Sequence, residues 1–152
     1  EGLKPAIDLE LSVSRIGSKV QCPAIRKLSE GLRYEYVQYR SLLRLTRLRS
    51  KLSPEAAQQL QRGRALYELL IQENGFPVSQ AEEIAVFFAF RQKILESISI
   101  EQVKLFKNNF FAYLYKHQQS LVEQLDDKGE LTEEIKLILD KAIQNFFRSQ
   151  EK

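Results

Sequence analysis

Arg15 stands in a run of small residues, Ser12-Val13-Ser14-Arg15-Ile16-Gly17-Ser18, and its side chain is the one best suited to chemistry here. A planar guanidinium can hydrogen-bond two phosphate oxygens at once. It stabilises charge developing on them without giving up a proton of its own. Ser12, Ser14, Gly17 and Ser18 leave room for a close backbone approach, and Gly17 permits a turn at positive φ just beyond the arginine. An arbitrary arginine after a strand usually does no more than face water. The small neighbours set Arg15 apart, and Ser14 is read as its support.

Other reactive residue types are sparse. His117 is the single histidine and Cys22 the single cysteine. A zinc site takes three or four nitrogen or sulfur ligands, so no metal is expected, and His117 reads as an ordinary helix residue. One thiol cannot close an internal disulfide, and its compartment stays open. Neither a glycine-lysine phosphate loop nor a GxGxxG run occurs, so the chain by itself is expected to hold no ATP, ADP or Mg2+.

The formal charge of +3 is unevenly spread, with basic residues concentrated at Arg40, Arg44, Arg47, Arg49 and Lys51. Such a cluster could grip phosphates, as a basic helical nucleic-acid module would, or simply form a helix face towards an acidic partner or water; a helical adaptor with the amino-terminal strand as a binding tail is a further alternative. The aromatic residues fall on apolar helix faces, and no stacking motif interleaves with the arginines. No nucleic-acid partner is expected.

The elements that must hold these residues are mostly helices. Apolar residues at 43% and charged residues at 28% fit a folded domain. The longest apolar run, Ile84 to Phe90, is far too short to span a bilayer, so no direct membrane insertion is expected. No leader pattern opens the sequence, and a start without Met reads as an internal piece. Leu9 to Arg15 is expected to be one short strand with no partner strand in the chain.

From Pro23 the spacing of Ile25, Leu28, Leu32, Tyr36, Tyr39 and Leu43 predicts one long amphipathic helix. Ser53-Pro54 starts a second, which Asn74-Gly75-Phe76-Pro77 should stop. Ser79 with Glu82 opens a third over Ala81 to Ser97, and Ser99 with Gln102 a fourth over Ile100 to His117. A short helix follows at Gln119 to Leu125, and Thr132 opens the last, through Phe147. The expectation is an all-α, mainly antiparallel bundle of about six helices, preceded by one strand. Its core should hold Phe87, Phe88, Phe90, Phe106, Phe110, Phe111, Phe146 and Phe147.

Several stretches carry a family resemblance. Gly2-Leu3-Lys4-Pro5-Ala6-Ile7-Asp8 with the Ser12-to-Ser18 run resembles the end of the nucleotide-binding domain in the alpha subunit of rotary proton-translocating ATP synthase. Tyr36-Val37-Gln38-Tyr39-Arg40, Ala56 to Leu60 and Arg62 to Leu70 are similar to successive helices of that subunit's C-terminal domain. The resemblance divides the chain into residues 1–20, the tail of the nucleotide-binding domain, and 21–152, the helical domain.

The resemblance implies that Arg15 is an arginine finger, reaching in trans into a beta-subunit catalytic site. It implies that Lys4, Pro5, Gln72 and Asn74 match the positions contacting the adenine of a second, non-catalytic nucleotide, bound as ATP or ADP with Mg2+ in the full subunit. Lys4 stands where the family has arginine, and Asn74 is one methylene shorter than the family's glutamine. The turn between Arg44 and Leu60 resembles the part facing the central-stalk gamma subunit, although the family is usually neutral or acidic where Arg47, Arg49 and Lys51 stand.

The implied whole is a proton-transporting two-sector ATPase, of which this piece alone is inactive. The implied setting is peripheral to the matrix side of the mitochondrial inner membrane, or to a bacterial plasma membrane or plastid thylakoid. A mitochondrial source is preferred because Phe, Ile, Lys and Tyr are plentiful.

Overall fold

The computed structural model describes residues 4–9, 11, 12, 14, 16–46, 52–73 and 75–150. Within them the chain is all-α. The helices are α1 (Gly17–Val20), α2 (Pro23–Ser29), α3 (Leu32–Thr46), α4 (Pro54–Leu70), α5 (Gln80–Arg91), α6 (Ile100–His117), α7 (Gln119–Lys128) and α8 (Glu133–Gln150), with a 3-10 turn at Ile94–Glu96. No described helix is long and apolar enough to cross a membrane.

Local signals fix most helix starts. Ser53 Oγ accepts from Ala56 N–H, Ser79 Oγ from Glu82 N–H and Thr132 Oγ1 from Ile135 N–H, each cap satisfying a donor the helix cannot. Ser99 and Gln102 form a complete capping box at α6. Gly129, at φ +57, ends α7 in the left-handed region that glycine tolerates best.

The expected strand does not form among the described residues of Leu9 to Arg15. Ser12 N–H instead donates to Asp8 O at 2.9 Å, closing a turn. A strand without a neighbour leaves its backbone groups unpaired, so a local turn satisfies them better. Gly17 also departs from expectation. It is the first residue of α1, helical and without a positive φ.

The long helix expected from Pro23 is two helices. Gly31 adopts φ +76, and the chain turns between Ser29 and Leu32. Arg91 of α5 stabilises that break. Its Nε donates to Leu28 O at 2.8 Å, one Nη to Glu30 O and the other to Glu35 Oε1 at 3.1 Å. Carbonyls left over at the end of α2 are thus held by a cation from another helix. Helix α5 also stops sooner than expected, at Arg91, because Lys93 turns left-handed at φ +61 before the 3-10 turn.

All helices from α2 to α8 contribute buried residues to one core. Phe106 and Phe110 stack along α6 with centroids 4.5 Å apart, and Phe146 of α8 meets both edge-on at 5.7 and 5.5 Å. Phe88, Phe90, Phe106, Phe110 and Phe146 are buried as expected, while Phe87, Phe111 and Phe147 are only half-buried against the cluster. Arg62 places its guanidinium over the Phe90 ring, 4.5 Å from the centroid, and pairs with Glu35 of α3 at 2.7 Å and with Glu96. These partly buried, multiply bonded charges join α3, α4 and the 3-10 turn more firmly than an exposed pair would.

Helices α3 and α4 approach closely at Gly63. A Cβ built there would fall 2.4 Å from the Cβ, Cγ and Cδ2 of buried Tyr39, atoms near the backbone that cannot swing away. Gly63→Ala is therefore expected to destabilise the domain by about 1–2 kcal/mol, because overpacking of about 1–3 kcal/mol outweighs alanine's gain in helix propensity. A lowered urea midpoint with an unchanged m-value would confirm it. A midpoint at or above that of the unaltered protein would show that the two helices can separate freely here.

Candidate functional site

The amino-terminal segment 4–9 lies against the loop that follows α4, and between them runs an open groove of about 1040 Å3. Lys4, Pro5 and Ile7 line one wall; Ile71, Gln72, Phe76 and Pro77 line the other. Three of the four residues matched to adenine contacts, Lys4, Pro5 and Gln72, therefore share one groove. The fourth, Asn74, is outside the described residues, as is Arg15.

The backbone explains why Gln72 faces outwards. Helix α4 ends at Leu70, well before the Asn74-Gly75 stop expected from sequence, because Ile71 is already extended at φ −72, ψ 121. Lys107 of α6 donates from Nζ to Glu68 O at 2.9 Å and to Ile71 O, taking up carbonyls at the negative end of α4. The loop then folds on itself. Gln72 Nε2 donates to Phe76 O at 2.9 Å, and Gly75 turns left-handed at φ +83.

Phe76 is 69% exposed, an aromatic face on the rim of the groove. The residue-by-residue reading missed it. A phenylalanine between Gly75 and Pro77 cannot sit in a helix, and that loop position is the signal that could have singled it out. The groove has a flat ring, an apolar side chain in Ile7, an ammonium in Lys4 and an amide in Gln72. Such a set suits a flat heteroaromatic ring with polar edges.

Electrostatics around this wall are shaped by burial. The Lys107 ammonium has its pKa lowered, first by desolvation and then by Lys4, against the opposing pull of Glu68, Glu73 and Glu82. Glu82 in turn has its carboxyl raised by burial, opposed by a backbone hydrogen bond from Ser79 and by Lys107.

The remaining candidates are separate from the groove. Ser14 is exposed, and its Oγ accepts from Gly17 N–H at 2.8 Å, so it shapes the turn into α1. Arg40 pairs loosely with Asp8 at 3.9 Å, and Arg44 is exposed near the end of α3; Arg47, Arg49 and Lys51 are outside the described residues. His117 is exposed, stacked on Tyr113 at 4.2 Å, and Cys22 is half-buried. No cluster able to hold a metal ion occurs among the described residues.

A family model described as ATP synthase alpha/beta chain, C terminal domain, matches residues 21–146. The chain belongs to that family. The match covers α2 to most of α8, so the helical bundle is the family's C-terminal domain. The chain is similar to ATP synthase subunit alpha of Acidithiobacillus ferridurans, 35% identical over 145 residues, covering 95% of this chain and 28% of that protein. It is also similar to ATP synthase subunit alpha of Aquifex aeolicus, 32% identical over 146 residues, covering 96% and 29%. A third such alpha subunit, from a Psychrobacter species, is 32% identical over 148 residues, covering 97% and 29%.

The chain thus spans less than a third of the length of the curated relatives it matches. The resemblance drawn from Lys4-Pro5, Ser12 to Ser18 and the helices holds for the C-terminal region of the alpha subunit. These relatives are all bacterial, and the expected mitochondrial source finds no support in them.

Proposed function

We propose that the chain is the C-terminal part of an alpha-type subunit in the catalytic head of a rotary proton-translocating ATP synthase, peripheral to a bacterial membrane. The observation that carries the reading is the convergence of Lys4, Pro5 and Gln72 on one groove, in a chain whose helical domain belongs to this family. In this reading residues 1–20 finish the nucleotide-binding domain and 21–152 form the helical domain. The groove clasps the adenine of a non-catalytic ATP or ADP whose phosphates and Mg2+ are held by the rest of the subunit. Arg15, supported by Ser14, reaches into the catalytic site of a neighbouring beta subunit, and the turn between α3 and α4 faces the gamma stalk.

Each residue in the groove has a definable role. Phe76 and Pro5 offer apolar faces to a planar ring, and the Gln72 amide offers a hydrogen bond to its edge. Lys4 brings a point charge where the family has a guanidinium, so it attracts the nucleotide without stacking on it as arginine does.

The test is nucleotide binding by a full-length subunit carrying this chain. Gln72→Ala should weaken ATP binding about three- to tenfold, the value of one hydrogen bond, and leave the affinity for inorganic tripolyphosphate unchanged. Equal ATP affinity in mutant and parent would remove Gln72 from the adenine site. The 152-residue chain alone, lacking a phosphate loop, should show no micromolar binding of Mg-ATP by calorimetry.

A further inference from the structure

Lys107 is far from the groove in sequence, and the adenine-site reading gives it no role. It lies on α6, between Phe106 and Phe110 of the core, where a cation is costly to bury unless it is well partnered. Its Nζ is half-buried and donates to Glu68 O and Ile71 O across the α4–α6 contact. Those carbonyls flank the residue where helix gives way to loop. Ile71 itself lines the groove, directly before Gln72.

The charged groups around it link both walls. Glu68 and Glu73 belong to the α4 end and its loop, Glu82 to α5 and Lys4 to the opposite wall. A helix would otherwise run on through Ile71, Gln72 and Glu73, since none of these residues breaks it strongly and Gly75 comes only later. If the helix continued, Gln72 would rotate by a helical step away from its hydrogen bond with Phe76 O.

We propose that Lys107 is a positioning residue for nucleotide-base recognition: by binding the Glu68 and Ile71 carbonyls it ends α4 at Leu70 and sets Gln72 and Phe76 into the groove. It touches no ligand. Its effect on base recognition runs through the loop backbone. The inference rests on the adenine-site reading above and adds to it a determinant on a helix that does not line the groove.

Lys107→Met keeps an unbranched apolar stem of nearly the same reach and removes the donor; Lys107→Arg keeps a donor. In the full-length subunit, Lys107→Met should slow amide hydrogen exchange at Ile71, Gln72 and Glu73 about tenfold or more as the helix runs on, leaving α5 and α8 unchanged. It should also weaken ATP about three- to tenfold and reduce discrimination between ATP and GTP, with tripolyphosphate affinity unchanged. Lys107→Arg should restore much of both effects.

Unchanged or faster exchange at Ile71, Gln72 and Glu73 would overturn the positioning role, whatever the nucleotide affinities. Slower exchange with ATP affinity and base discrimination intact would overturn it too, provided Gln72→Ala weakens ATP; the adenine site would then stand without Lys107. If neither Gln72→Ala nor Lys107→Met alters ATP binding, the adenine-site reading and the inference resting on it both fail. A uniform loss of tripolyphosphate and ATP binding, with exchange raised throughout α5 and α8, would mark general destabilisation and overturn the specific role.

Discussion

Replacing Arg15 by lysine in a full-length subunit, assembled with its partner subunits, is expected to slow ATP turnover about 10³-fold while nucleotide affinity changes little. Lysine keeps the positive charge but not the fork that can span two oxygens of a phosphoryl group in flight. An interaction strongest in the transition state lowers the rate of the chemical step without loosening the ground-state complex. The small residues around it, Ser12, Ser14 and Gly17, suit the close approach to another subunit proposed for its side chain. Single-turnover kinetics on the mutant assembly separates binding from cleavage. A large loss of affinity with cleavage unchanged would reject the finger role proposed for Arg15.

Phe106→Ala is expected to cost about 3–5 kcal/mol of folding stability, the usual range for emptying a buried aromatic site. Phe106 is fully buried and touches Phe110, Phe146 and Phe147, so its removal breaks stacked and edge-on contacts between α6 and α8 together. The cavity would be lined by ring faces that cannot all close in, because each is already held by another aromatic partner. Urea unfolding followed by circular dichroism measures the effect. A loss below about 1 kcal/mol would mean that Phe147, which is only half-buried, moves in and fills the space.

The parts of this fold legible in the sequence are those set within a few residues. Ser99 with Gln102, Ser53 with Pro54 and Thr132 each announce a helix start because the cap bonds only to its own first turn. The ends were harder to see. Helix α4 stops where Lys107 removes its last carbonyls, and the break between α2 and α3 is held by Arg91, both contacts made from distant parts of the chain. Gly31 was a local sign of that break, but the unbroken apolar spacing from Ile25 to Tyr39 runs through it because the two helices face the same core. The strand expected over Leu9 to Arg15 is not seen among the described residues for the opposite reason, since a strand is stabilised by neighbours rather than by its own residues.

The groove was legible only in part. Lys4, Pro5 and Gln72 came from family resemblance, and no periodicity or spacing in one sequence could have brought the two segments together. Phe76 and Lys107 escaped because their roles are relational: one is an aromatic left in a loop, the other a cation aimed at another helix's end.

Near the amino end of the bundle, Ala24 N–H donates to Gly129 O at 2.9 Å, and a Cβ on Gly129 would fall 2.4 Å from the Cβ of Cys22. Helix α2 is therefore seated against a residue from the far side of α7 in the chain. A chain emerging amino end first must carry the apolar Ala24, Ile25 and Leu28 unsheltered until α5 has been synthesised, and cannot lock α2 in place until α7 has terminated. The domain consequently cannot be assembled helix by helix as it leaves the ribosome; its first element waits for nearly its last. A stalled nascent chain ending before Gly129 should leave Cys22 open to alkylation, and one extending beyond α8 should protect it.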